Sequence, residues 1–209
     1  RPRRGSSRVP IFPLFSAADR VARRSRTVMG YWNTKGKSDK WYTPKHVFEA
    51  LDCTFDLDVA APEGFETHVP ADFFIFENSL TNRWNGFVWM NPPFGGRNGL
   101  VPWLKKFFDH GNGIALTPDR TSTPWFRDAW RKADAVLFTP KLRFIRPDGS
   151  EGKSPSNGTA LFAAGERGTV ALENASRAGL GILAIPKLST CSHRNIRSTL
   201  SSEAPATSC

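Results

Sequence analysis

The residues best suited to chemistry in this 209-residue chain are Asn91-Pro92-Pro93-Phe94, which directly follow the apolar run 86–90. Two consecutive prolines lack backbone N–H groups and have a fixed φ, so a strand must end there. A stiff, extended ledge after a buried strand is therefore predicted. Asn91 offers an amide acceptor, the prolines offer carbonyls and Phe94 offers a flat apolar face, a set that suits a planar ring bearing an exocyclic amine. The same residues also suit an ordinary turn, and the rest of the sequence must decide between the two interpretations.

The elements that must position this ledge alternate between strand and helix patterns. Apolar strand patterns occur within 54–62, 87–90, 113–118 and 134–140, with helix patterns near 43–51, 99–111, 121–133 and 169–178. Thr43 before Pro44 and Thr123 before Pro124 are N-cap and N1 pairs typical of helix starts. The alternation predicts an α/β fold with a mostly parallel mixed sheet and helices on its faces.

Two departures from a regular α/β sheet are also predicted. Segments 141–149 and 158–165 flank a polar tip and indicate a late antiparallel hairpin. About two dozen residues separate Ala61 from Phe87, whereas each parallel crossover needs roughly a dozen or more. This half of the sheet is therefore predicted to be abbreviated.

The positive charge is concentrated near the N-terminus. The chain has a net charge of +10, and residues 1–30 contain eight arginines against Asp19 alone. We expect residues 1–30 to form a basic, disordered extension, residues 31–187 one domain, and residues 188–209 a disordered Ser/Thr-rich tail. A phosphate-binding arm is the alternative for the extension. Met29 suggests that the native protein begins there, which mass spectrometry of the natural product would test.

Cysteines and histidines give no metal or disulfide signal. Three cysteines without a C-x-x-C pair and four scattered histidines exclude the usual zinc patterns and favour a reducing cytoplasm. No apolar run reaches the length of a membrane span. We therefore expect no metal and no membrane association. A monomer is also expected.

Three motifs occur in a specific order: W-Y-T-P at 41–44, D-L-D-V-A-A at 56–61 and W-M-N-P-P-F at 89–94. In this combination the sequence resembles the phage-type DNA N-6-adenine methyltransferases, which depend on S-adenosylmethionine, from about Lys40 to Gly165. The resemblance implies an abbreviated Rossmann-like methyltransferase fold that acts on double-stranded DNA in the cytoplasm of a bacterial host. Phage or prophage origin and a link to restriction-modification are further implications.

The resemblance also implies roles for individual residues. Asn91 and the Pro92 carbonyl would accept hydrogen bonds from the adenine amine, while Phe94 stacks on a base flipped out of the duplex. Pro93 completes this catalytic set. Asp58 would meet the ammonium of the cofactor, and Glu77 is the candidate for its ribose, with Asp72 and Asn78 as rivals. The remaining cofactor-binding candidates are Trp41, Thr43, Pro44 and Ala60, with Ala60 standing where wider methyltransferases carry a glycine-rich loop.

DNA contacts are expected at Arg120, Arg143, Lys153, Ser154 and Ser156, with Arg146 as a further candidate for phosphate binding. Alternative functions use the same ledge on adenine in RNA or on a glutamine side chain of a protein. A different class of alternative is a non-catalytic DNA-binding protein with a decayed methyltransferase fold. Transfer of a labelled methyl group to unmethylated DNA separates the enzyme from this last alternative.

Overall fold

The computed structural model describes residues 21–23, 41–62, 67–93, 99–153 and 157–186. The described residues form eight strands and four helices. In chain order these are β1 (Val21–Arg23), α1 (Lys45–Leu51), β2 (Phe55–Asp58), β3 (Ala71–Ile75), β4 (Val88–Met90), α2 (Leu100–His110), β5 (Gly113–Pro118), α3 (Pro124–Lys132), β6 (Ala135–Thr139), β7 (Thr159–Ala164), α4 (Glu166–Arg177) and β8 (Ile182–Ala184).

All eight strands belong to one mixed sheet, in the order β1-β3-β2-β4-β5-β7-β6-β8. The five strands β2 to β6 point in one direction, and β1, β7 and β8 point in the other. The predicted α/β fold with a mostly parallel mixed sheet, helices on its faces and a late antiparallel hairpin is confirmed.

The core lies on both faces of the sheet. Side chains of β4 alternate as strand geometry requires, with Trp89 packed on one face and Val88 and Met90 on the other. The Trp89 face is covered by α1 and α4, and the opposite face by α2 and α3. Because all three β4 side chains are buried, this strand lies at the centre of the molecule.

The half of the sheet before β4 is short, as the sequence predicted. The β2–β3 connection occupies residues 59–70, and its described parts, 59–62 and 67–70, contain no helix. Gly86 leads into β4 with φ at +70°, and a Cβ there would collide with the Asp56 carboxylate. That carboxylate accepts a hydrogen bond from the Phe87 N–H at 2.6 Å. The Asp56 carboxylate therefore holds the backbone where β4 begins. Residue 86 must be glycine, because it has a positive φ and no room for a Cβ.

Two local predictions were wrong in detail. Helix α1 begins at Lys45 with Pro44 as its N-cap residue, one position later than predicted, and no side chain caps it. The first strand of the late hairpin is β6 rather than segment 141–149, since β6 pairs with β7 along Ala135–Thr139. Ile145, from the segment predicted as a strand, instead forms isolated bridges with Tyr42 and Glu151.

The N-terminal extension is described only at β1. These three residues form an edge strand antiparallel to β3, whereas the sequence favoured disorder for the extension. The rest of the predicted extension and the predicted tail 188–209 lie outside the described residues.

Candidate active site

The parallel strands β3, β2 and β4 end at one edge of the sheet, and the strongest candidate residues lie at or just after these ends. The chain passes from β2 to β3 on one side and then returns to β4 on the other. In α/β sheets this reversal opens a crevice at the carboxyl ends of the strands, where ligands bind. Asp58 is the last residue of β2, and Asn91 directly follows β4. We call this edge, with the segments that follow β2, β3 and β4, the site edge.

Asp58 is a buried carboxylate at the centre of the site edge. It pairs in register with Phe74 of β3 and Trp89 of β4, and only 3% of its surface is exposed. The Ala60 N–H donates to its Oδ1 at 3.0 Å. Burial outweighs this hydrogen bond and raises the pKa of Asp58 to about 7. A buried carboxylate at this position suits a ligand that carries a cationic group.

The side chains of Asn91 and Thr43, which are 48 positions apart in sequence, form a hydrogen bond. The Asn91 Nδ2 group donates to Thr43 Oγ1 at 3.2 Å. The contact is positioned by packing, because the Phe48 ring of α1 lies edge-on to the Trp89 ring of β4 at 4.9 Å. Thr43 precedes α1 and Asn91 follows β4, so this packing also brings their side chains together. The T-P and N-P-P motifs therefore share one site.

The ledge after β4 begins where the prolines require. Strand β4 ends at Met90, Asn91 is half-buried, Pro92 is buried and Pro93 is exposed. With Nδ2 directed to Thr43, the Asn91 side chain retains Oδ1 as its acceptor. Phe94, the proposed stacking residue, lies outside the described residues.

Trp41 contacts the connection between β6 and β7, residues 140–158. The Gly152 position approaches the Trp41 ring so closely that a Cβ there would lie 2.5 Å from it. The Arg146 guanidinium lies 5.7 Å from the centre of the same ring. Trp41 remains 45% exposed, and Tyr42 pairs with Ile145 through two backbone hydrogen bonds of 2.9 Å. This cofactor candidate thus packs against the same connection that carries candidate DNA contacts.

The ribose candidate Glu77 follows β3 by two residues and is exposed at the site edge. Asn78 is also exposed and has a left-handed φ of 54°. Asp72 is the second residue of β3 and so lies toward the opposite edge of the sheet. Strand direction therefore favours Glu77 and Asn78 over Asp72 for any ligand bound at the site edge.

A turn at residues 78–82 follows Glu77 and is tied to α2. The Lys106 ammonium donates to the carbonyls of Ser79 at 2.6 Å, Leu80 at 3.0 Å and Asn82, and lies 4.6 Å from the centre of the Trp84 ring. Burial lowers the pKa of Lys106. No motif in the sequence indicated this cluster, because its acceptors are backbone carbonyls that any residue supplies.

The candidate DNA-binding side chains that the structure describes occupy the same edge. Arg120 is exposed in the turn after β5. Arg143 and Lys153 are exposed on the β6–β7 connection, where Arg143 lies 3.6 Å from Glu151 in an ion pair. The candidates Ser154 and Ser156 lie outside the described residues.

The opposite edge of the sheet carries an open cleft of about 610 Å³. Its lining includes Cys53, Arg167 and Val170. Burial raises the pKa of Cys53 to about 11, which makes its thiol a poor nucleophile at neutral pH. The described part of the chain contains no group of three His, Cys, Asp or Glu side chains that could hold a metal, and no helix there is long and apolar enough to span a membrane.

Residues 32–168 match the family model described as DNA N-6-adenine-methyltransferase (Dam). The match includes the T-P segment, Asp58, the N-P-P ledge and the β6–β7 connection. No curated protein and no solved structure showed significant similarity to the chain.

Proposed function

The chain belongs to the DNA N-6-adenine-methyltransferase family, and from this premise we propose that it transfers a methyl group from S-adenosylmethionine to the exocyclic N6 amine of adenine in double-stranded DNA. The observation that carries the proposal is the placement of the Asn91 amide beside the end of the strand that bears Asp58. An amine acceptor and a buried carboxylate at one switch point suit two ligands that must meet there.

The described residues fit S-adenosylmethionine. Asp58 is buried and its described hydrogen bond comes from the Ala60 N–H, so its carboxylate suits the ammonium of the methionine moiety. Glu77 is exposed at the end of the neighbouring strand, where a carboxylate can accept from two ribose hydroxyls. Ala60 allows close approach beside Asp58, while Trp41 and Pro44 would border the same pocket. When bound, S-adenosylmethionine supplies an electrophilic methyl group on a sulfonium, which leaves as a neutral thioether.

Asn91 would align the adenine amine for attack. Its Oδ1 and the Pro92 carbonyl would accept hydrogen bonds from the two N–H groups, which would leave the nitrogen lone pair free for attack. The new carbon–nitrogen bond would replace the carbon–sulfur bond of the methyl donor, and the amine would then lose one proton to water. Because the proton leaves after attack, no strong base is required, and the rate depends mainly on holding the amine and the methyl group in line. An amide and two prolines are therefore sufficient.

The adenine must leave the duplex to reach this ledge. Flipping costs a few kcal/mol of unstacking, which Phe94 and Pro93 would offset by contact with the base. Arg120, Arg143 and Lys153 would hold the DNA backbone at the site edge. Ser154 and Ser156 are proposed as further DNA contacts from the family resemblance alone.

The central test is methyl transfer to duplex DNA that lacks adenine methylation. Labelled S-adenosylmethionine should transfer its methyl group to this DNA, and Asn91→Ala should reduce the rate on the order of 100-fold or more while cofactor affinity is retained. Asn112→Ala, in the turn before β5 at the opposite edge, is the matched control and should keep the parental rate. A folded Asn91→Ala protein with the parental rate would reject the assignment of the ledge. Methylation of RNA or of glutamine in preference to DNA would reject the substrate.

The cellular setting proposed is the cytoplasm of a bacterial host, with a phage or prophage gene as the source. Long-read mapping of modified adenines in cells that express the protein would give the recognition sequence. A companion nuclease that cuts the same unmethylated sequence would establish a role in restriction-modification.

A further inference from the structure

The Thr43 hydroxyl does not cap helix α1 but lies against the side chain of Asn91. Thr43 is buried, with 4% of its surface exposed, and it precedes a helix that no side chain caps. Its Oγ1 instead accepts from Asn91 Nδ2 at 3.2 Å. The backbone on its N-terminal side is held by the bridge between Tyr42 and Ile145, and α1 on its C-terminal side is held by the packing of Phe48 on Trp89.

We propose that Thr43 is a positioning residue, whose hydroxyl holds the Asn91 amide with Oδ1 directed at the target amine. The proposal rests on the proposed adenine methylation. It gives Thr43 a role different from the cofactor contact that the family resemblance implied. Thr43 would act on the rate of methyl transfer, not on cofactor affinity.

The physical reason lies in the freedom of an asparagine side chain. Its last torsion angle is broad, so an unanchored amide samples many orientations and exchanges its donor and acceptor ends. One hydrogen bond from Nδ2 to a buried hydroxyl restricts that torsion and leaves Oδ1 on the other side. A misplacement of about 1 Å in a positioned group can cost up to about 100-fold in rate. The loss of a single hydroxyl should therefore have a large kinetic effect.

The first experiment compares Thr43→Val with Thr43→Ser. Valine keeps the shape of threonine but has no hydroxyl, whereas serine keeps the hydroxyl. In single turnovers at saturating cofactor and DNA, Thr43→Val should lower the rate by roughly tenfold or more and Thr43→Ser should stay close to the parental rate. Cofactor affinity, measured by calorimetry, should remain within about twofold of the parental value in both, because the Asp58 contact is intact. If Thr43→Val does not fold, Thr43→Ala removes the same hydroxyl without adding a carbon.

The second experiment reads the hydrogen bond without any activity. In the ¹⁵N-labelled protein, the side-chain amide signals of Asn91 are assigned by their loss in Asn91→Asp. Relative to the parental protein, Thr43→Val should shift these signals and speed their exchange with water, and Thr43→Ser should not. This measurement needs neither cofactor nor DNA.

The outcomes separate this proposal from the proposed function. A folded Thr43→Val protein with the parental single-turnover rate overturns the positioning role while methylation stands. A weaker cofactor affinity with an unchanged rate at saturation also overturns it, in favour of a cofactor contact. If the parental protein methylates no adenine but the amide signals respond to Thr43→Val, the proposed function fails, and the positioning role in methylation falls with it although the hydrogen bond is real.

Discussion

At the scale of single residues, Asp58 is the feature that most requires a partner. Burying a carboxylate is costly unless a cation or several hydrogen bonds compensate. Among the described residues, Asp58 accepts one hydrogen bond, from the Ala60 N–H, and burial raises the pKa of Asp58 to about 7. The ammonium of S-adenosylmethionine would supply the missing charge, so we expect proton release from Asp58 to be coupled to cofactor binding.

Cofactor affinity should therefore follow a bell-shaped dependence on pH. Below about pH 7 Asp58 is increasingly protonated and must lose a proton to bind, so affinity should fall as the pH is lowered. Above about pH 8 the α-amino group of the ligand itself loses its charge, and affinity should fall again. Calorimetry at several pH values, in buffers of different ionisation enthalpy, would measure both the affinity and the protons released.

Asp58→Asn is the matched control for this pH dependence. It keeps the shape of the side chain but has no proton to lose, so the acidic limb of the profile should disappear and the alkaline limb should remain. Affinity at the optimum should also drop by roughly tenfold or more, because the variant cannot form the charge-assisted hydrogen bond. An acidic limb that persists in Asp58→Asn would show that another group titrates.

At the scale of elements, the sequence predicted best what is determined locally. Thr123 before Pro124 gave the N-cap position of α3, the helix pattern near 99–111 gave the extent of α2, which ends at the left-handed Gly111, and the prolines gave the end of β4. Each is a short-range steric or hydrogen-bonding effect that is complete within a few residues. The D-L-D-V-A-A and N-P-P motifs also located Asp58 and Asn91 at the carboxyl ends of two strands.

Contacts between distant segments could not be predicted in this way. The pattern of segment 141–149 suits a strand, but its partner depends on tertiary packing, and Ile145 pairs with Tyr42 instead of β7. Thr43 was expected to cap α1, yet its hydroxyl lies against Asn91. The carbonyl acceptors of Lys106 carry no residue-type signal at all. Each of these contacts depends on how the sheet brings separate segments together.

The two neighbouring lysines of α2 allow a test of how the turn after β3 is held. Lys106→Met removes the ammonium from three backbone carbonyls near Glu77, so it should lower the free energy of unfolding by about 1 to 3 kcal/mol and weaken cofactor binding. Lys105→Met removes only an exposed ion pair with Asp109 and should leave the free energy of unfolding close to the parental value. Urea unfolding and cofactor titration measure both effects. Equal losses in the two variants would contradict the role given to Lys106.

At the scale of the whole molecule, the two edges of the sheet are chemically different. The site edge carries Asp58, Asn91 and the exposed basic residues of the connections after β5 and β6.

Although the family match ends at residue 168, β8 pairs with β6, and the α4 side chains Ala171 and Leu172 share a buried core with α1. These elements continue the same layered structure, which supports the proposal of one methyltransferase domain over 31–187.

The exposed basic residues at the site edge predict which charges control the salt dependence of DNA binding. Log affinity for DNA falls linearly with log salt concentration. A triple alanine variant of Arg120, Arg143 and Lys153 should make this slope less steep by about 0.9 for each phosphate that is no longer neutralised, or about 2 to 3 in total. Arg143 can exchange its ion pair with Glu151 for a phosphate, because an exposed pair is worth at most about 1 kcal/mol. The control is Lys132→Ala, which removes an exposed charge where α3 ends at the opposite edge. Fluorescence anisotropy with an unmethylated duplex over a range of salt concentrations gives both slopes. An unchanged slope in the triple variant, or an equal decrease in Lys132→Ala, would show that DNA does not lie across the site edge.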